Sequence, residues 1–124
     1  MLEHKHLILK GTMAESVDVP TMKKWLTKLV KILDMELIEE FPHNPAVAYV
    51  GGENPGITGC ALITTSHIVI HTWDKSLDFQ LDVYSCKDYN PEEVIIHASK
   101  MGLAVTSDRF FDRKYNIIDN HNVI

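Results

Sequence analysis

Residues 56–86 read Gly-Ile-Thr-Gly-Cys-Ala-Leu-Ile-Thr-Thr-Ser-His-Ile-Val-Ile-His-Thr-Trp-Asp-Lys-Ser-Leu-Asp-Phe-Gln-Leu-Asp-Val-Tyr-Ser-Cys. The stretch divides into three strand-like runs: Thr58–Thr65, His67–Trp73 and Leu77–Ser85. The first two are separated only by the junction Thr64-Thr65-Ser66, which predicts a tight turn. The third alternates cleanly, with Leu77, Phe79, Leu81 and Val83 on one face and Asp78, Gln80, Asp82 and Tyr84 on the other. A period of two with one apolar face is the pattern of a half-buried strand in an antiparallel sheet.

Working outward, His6–Lys10 reads as a first strand. Residues 21–34 read as a helix, because Met22, Trp25, Leu26, Leu29, Val30 and Leu33 fall on one stripe at helical spacing and Pro20 suits the entry. A second strand is expected over Glu36–Phe41, ended by Pro42. Three prolines and three glycines between Pro42 and Gly56 predict a loop with an edge strand at Ala46–Val50. Asn90-Pro91-Glu92-Glu93 carries an N-cap, a proline at the first position and an acidic residue at the third. The helix it opens turns Val94, Ile95, Ala98 and Met101 inward and stops at Gly102, before a last strand at Ala104–Phe111. The order β-α-β-β-β-β-α-β predicts an α+β fold, a two-layer sandwich of a mostly antiparallel sheet with two helices on one face. The other face of the sheet is semi-polar, which suits a homodimer partner.

At 124 residues, 45% hydrophobic and 23% charged, the chain is expected to form a single domain over residues 1–124. A net charge of −5 argues against nucleic acid or an anionic membrane surface as partner. No apolar run is long enough to span a bilayer. The opening Met1-Leu2-Glu3-His4-Lys5-His6 lacks a signal-peptide profile, and two cysteines without metal-like spacing fit a reducing cytoplasm.

Few residues announce chemistry by spacing alone. His67 and His71 lie on a strand pattern, about 13 Å apart, and His4 and His6 about 7 Å apart without further ligands in view, so no metal site is expected. Gly51-Gly52 lacks the rest of a phosphate loop, and Ser66 lacks a nucleophile elbow. Taken singly, Ser66 reads first as a turn residue, His71 as a core histidine, and Cys60 as part of the core. Cys86 shares the parity of Asp82 and Tyr84.

Together, Gly56-Ile57-Thr58-Gly59, Ser66-His67, Ile70-His71-Thr72-Trp73 and Asp82-Val83-Tyr84-Ser85-Cys86 resemble the pattern of the short-chain bacterial and archaeal S-adenosylmethionine decarboxylases. That pattern runs Gly-x-Ser/Thr-Gly, Glu-Ser-His, Ile-His-Thr-Trp-Pro-Glu and Asp-Val-x-x-Cys, and the chain follows it without a gap. The resemblance implies a self-processing enzyme of polyamine synthesis, cut between Thr65 and Ser66, whose cofactor is a pyruvoyl group derived from Ser66. It implies that Ser66 attacks the Thr65 carbonyl, that Thr58 supports the oxyanion, and that His71 removes the Ser66 α-proton. It also implies that a substrate amine is held as a Schiff base and that Cys86 protonates the product of CO₂ loss.

The chain departs from the pattern at three places. Thr65 replaces the glutamate before the serine, although cleavage uses the carbonyl and not the side chain. Asp74-Lys75 stands where the family has Pro-Glu, the glutamate being the ribose acceptor; Asp74 is the nearest substitute. Gly51-Gly52 stands where an adenine-stacking aromatic is common, leaving Tyr49 as the nearest ring. Asp74 and Tyr49 are therefore the expected substrate-binding residues, with weakened binding of S-adenosylmethionine. Two alternatives stay open: a pyruvoyl-dependent arginine or ornithine decarboxylase, and an unprocessed, non-catalytic homologue.

Overall fold

In the computed structural model, which describes residues 2–114, β1 spans Lys5–Met13. It extends past residue 10 because Leu7, Leu9, Gly11 and Met13 continue one buried face while Ile8, Lys10 and Thr12 stay exposed. Helix α1 covers Val19–Ile32, starting two residues before the predicted span. The cause is a cap: Thr21 N donates to Asp18 Oδ1 (2.8 Å), which also holds the Asp18 carboxyl below the usual carboxylate range. Met22, Trp25, Leu26, Leu29 and Val30 form its buried stripe, as the spacing predicts.

The chain continues through β2 (Ala46–Val50), β3 (Gly56–Ile63), β4 (Ser66–Trp73), β5 (Asp78–Ser85), α2 (Pro91–Lys100) and β6 (Leu103–Asp112). The six strands form one sheet in the order β2-β3-β4-β5-β1-β6, every neighbouring pair antiparallel. The predicted α+β class and element order hold, but one strand is exchanged. Glu36–Phe41 is not a strand; only Leu37 bridges Ile63. The free edge of β3 is shared instead between two short pieces. Ala46–Val50 takes the half from Gly56 to Cys60, and residues 36–38 take the other half through Ile38 N to Leu62 O and Thr64 N to Glu36 O. Asn44 ties the intervening loop to β3, accepting from Leu62 N (2.9 Å) and donating to Leu62 O (2.6 Å).

Both helices cover one face of the sheet. The core joins Leu7, Leu9, Ile57, Ile68, Ile70, Phe79, Leu81 and Val83 from the strands to the buried residues of α1 and to Val94 and Ala98 of α2. Each Val, Leu, Ile, Phe or Met side chain among them contributes roughly 1.5–3 kcal/mol on burial. The helices are locked to each other by a reciprocal pair. Trp25 Nε1 donates to His97 O (3.1 Å), His97 Nε2 donates to Trp25 O (3.2 Å), and the rings stack at 4.9 Å. Burial holds His97 below the usual imidazole range.

Cys60 is not a core residue. It pairs with Val69 and Ala46 and sits half-buried on the open face, opposite the helices, where burial and then the Asp82 charge push its thiol up. Gly56 has a packing reason to be glycine, since a Cβ there would lie 1.8 Å from Thr72 O.

Candidate active site

β3 and β4 are joined by a two-residue hairpin, Thr64-Thr65, closed by the pair Ile63–Ser66. The favoured two-residue turns need positive φ at their central residues, usually Gly, Asn or Asp. β-Branched threonine resists this conformation, and neither Thr64 nor Thr65 adopts it. The deviation falls on the next residue: Ser66 has φ +151°, a region that L residues avoid, at a typical cost of about 1–3 kcal/mol. The strain lies at the Thr65–Ser66 junction. Thr65 Oγ1 is also buried without a hydrogen-bond partner among the described residues.

The carbonyl of Thr65 is held from the other side. Cys86 N–H donates to Thr65 O at 2.9 Å, while Cys86 O accepts from Glu3 N at 3.0 Å. Ser85, fully buried and paired with Ser66, accepts from Lys87 N through its Oγ (3.0 Å) and fixes the bend after β5. The Cys86 backbone is thus clamped between Glu3, which precedes β1, and the β3–β4 turn. An amide pointing at a carbonyl oxygen polarises that carbonyl and stabilises negative charge developing on it.

The remaining expected residues form a second group. Thr58 and His71 are cross-strand partners, with Oγ1 and Nδ1 3.2 Å apart. Trp73 lies beside His71, ring centroids 6.2 Å apart, and Asp74 N donates to Pro55 O (2.8 Å) in the turn that follows β4. His71 is five residues along β4 from Ser66, about 16 Å, and Asp74 eight, about 26 Å. One chain therefore brings Thr65, Ser66 and Cys86 together at one end of β4, and Thr58, His71 and Asp74 at the other. Tyr49 joins neither group. It pairs with Ile57, so it points to the helix side of the sheet, away from Thr58 and His71, and is exposed.

Sequence reasoning missed two features. One is the backbone amide of Cys86, which no side-chain motif reports. The other is a cluster on the open face: His67, Tyr84 and His6 align across β4, β5 and β1, and Asp82 Oδ1 lies 3.1 Å from His67 Nε2 and 3.4 Å from His6 Nε2. Pairing histidines along each strand could not find it, because the neighbours are across strands. The reading of Asp82 and Tyr84 on one face held the signal.

The profile of the family described as S-adenosylmethionine decarboxylase matches residues 6–109. The chain is 32% identical over 123 residues to an S-adenosylmethionine decarboxylase proenzyme of Methanococcus maripaludis, covering 96% of this chain and 94% of that one. It is 29% identical to the protein of the same name in Methanococcus vannielii, covering 97% and 95%. In fold it is similar to the crystal structure of the adenosylmethionine decarboxylase from Aquifex aeolicus, with TM-score 0.61 at 21% identity, over 97% of this chain and 96% of that one.

Proposed function

The chain belongs to the S-adenosylmethionine decarboxylase family, and from that premise we propose that it is a self-processing, pyruvoyl-dependent decarboxylase of S-adenosylmethionine serving polyamine synthesis. The observation that carries the reading is the Thr65–Ser66 bond, strained on the Ser66 side and held by the Cys86 amide at the Thr65 oxygen.

Processing then follows from the chain's own groups. Ser66 Oγ attacks the carbonyl carbon of Thr65, and the Cys86 amide stabilises the oxyanion. The C–N bond breaks and the Thr65 acyl group passes to Ser66 Oγ, relieving the unfavourable φ. His71 takes the Ser66 α-proton, the Thr65 carboxylate leaves from Cβ, and hydrolysis of the resulting enamine releases ammonia. The pyruvoyl group left from Ser66 supplies the sink for electrons freed when the substrate loses CO₂. Cys86 Sγ delivers a proton to the substrate α-carbon.

A distance of about 16 Å prevents His71 from serving Ser66 of its own chain. We assign the partner role to a homodimer, open face against open face, whose two-fold axis sets the Thr58–His71–Asp74 end of one copy against the Ser66–Cys86 end of the other. Two equivalent sites result, each holding Asp74 for the ribose hydroxyls. Tyr49 is left out of this site, since it faces the helix layer. Partial exposure of Ile8, Val69, Trp73 and Phe111 on the open face supports its coverage.

The activity is tested by CO₂ release from carboxyl-labelled S-adenosylmethionine, arginine and ornithine. Release from S-adenosylmethionine alone is expected. Release only from arginine or ornithine would transfer the chemistry to a basic amino acid, and none from any of the three by uncut protein would leave a non-catalytic homologue. Among the described residues no helix is long and apolar enough to cross a membrane.

A further inference from the structure

We propose that His6, His67 and Asp82 form a binding site for a divalent transition-metal ion, with Zn²⁺ as the fitting probe. Their ligand atoms, one from each residue, all lie within 4.8 Å of one another on the open face. Nitrogen and oxygen donors about 2.0–2.1 Å from a metal stand roughly 3.0–3.4 Å from each other in octahedral or tetrahedral geometry. The two distances to Asp82 Oδ1, 3.1 and 3.4 Å, fall in that range. Two imidazoles and one carboxylate are the donor set of borderline metals, whereas Mg²⁺ and Ca²⁺ favour oxygen alone.

A second observation points to a ligand. His6 Nε2 is buried and, among the described residues, has no hydrogen bond of good geometry, although it stands 3.4 Å from Asp82 Oδ1. Asp82 Oδ1 already lies within hydrogen-bond distance of His67 Nε2. Buried polar atoms are rarely left unpaired, and one cation among the three atoms would satisfy them together. The three ligands come from three adjacent strands, and their register is fixed by the ladders: His67 and His6 flank Tyr84, and Asp82 stands two residues before it on the same face. The site uses none of Ser66, His71 or Cys86, and it lies on the open face that the proposed homodimer would cover.

The experiment is calorimetric titration of the chelator-treated full chain with Zn²⁺, with Co²⁺ as a spectroscopic probe of nitrogen ligation. Saturable uptake of one Zn²⁺ per chain is expected. His6→Ala and Asp82→Asn should each weaken it at least about ten-fold, and His43→Ala, an exposed histidine outside the cluster, should leave it unchanged. Because a buried substitution can disturb folding, melting is read in parallel on His67→Gln: Zn²⁺ should raise the melting temperature of the parent and not of this variant. No saturable uptake at micromolar metal, uptake indifferent to all three substitutions, or an equal melting shift in parent and His67→Gln would overturn the assignment.

Discussion

Cys86 N–H stands 2.9 Å from the carbonyl oxygen of Thr65. The amide that precedes the expected proton-donating thiol also supports the bond that must break to make the cofactor. In the proposed mechanism, processing and turnover draw on two parts of one residue. Cys86→Ser keeps the amide and changes the side chain. It should still be cut but turn over more slowly, with more of the cofactor wrongly protonated and converted to an amine. Cleavage followed by gel and turnover by CO₂ release separate the two; a variant equal to the parent in both would move the proton-donor role elsewhere.

The conformation of Ser66 makes a prediction about stability. At φ +151° alanine inherits the strain and glycine does not. Both Ser66→Ala and Ser66→Gly are uncleavable, so their stabilities can be compared without processing. The glycine variant should be more stable by about 1–2 kcal/mol, a rise of several degrees in melting temperature. Equal melting of the two would remove strain from the account.

The division of the site between the ends of β4 predicts complementation. Co-expressed His71→Ala and Ser66→Ala chains should yield cut His71→Ala chains, because each such chain keeps Ser66 and can receive His71 from its partner. Expressed alone, neither should be cut. Failure of the mixture to process, with dimers demonstrably formed, would contradict the shared site.

Much of the fold was legible because the strands alternate and the helices carry caps. The alternation over Asp78–Ser85 and the Asn90 and Pro91 start of α2 stand as read, whereas Leu77 lies in the turn before the strand with φ +59°. What failed failed for tertiary reasons. Glu36–Phe41 has strand-like composition, but β3 offers only one free edge, and Ala46–Val50 takes the half of it from Gly56 to Cys60. Cys60 has apolar sequence neighbours, yet parity, not neighbours, decides the face in a strand. Within the site, residue types were legible and distances were not. A linear motif lists Ser66 and His71 five apart without saying that a strand makes those five residues about 16 Å.

Acid stability follows from buried His97 and half-buried His6. His97 and His6 both titrate below their unfolded value of 6.5, so the unfolded chain takes up protons first. Stability should be complete above that pH and fall as pH drops from 6.5 toward the folded values. Urea midpoints between pH ~7.5 and ~5 measure it, and His97→Gln should flatten the slope. A midpoint constant through that window would contradict the buried neutral state of both rings.

By the resemblance, Lys75 stands where a ribose-binding glutamate is expected, beside Asp74 in the turn after β4. A missing charged acceptor weakens binding by about 1.5–3 kcal/mol, roughly ten- to a hundred-fold. Activity on S-adenosylmethionine should therefore be weak, and Lys75→Glu should raise it, chiefly through KM. Strong parental activity that Lys75→Glu leaves unchanged or reduces would place the ribose elsewhere.

The central claim is that the chain cuts itself between Thr65 and Ser66, and intact mass under denaturing conditions tests it most directly. The account predicts two species of 65 and 59 residues, the second lighter by one ammonia than the same chain beginning with serine, and a single uncut species for Ser66→Ala. A single uncut parent after prolonged incubation, or a cut that survives Ser66→Ala, would contradict it.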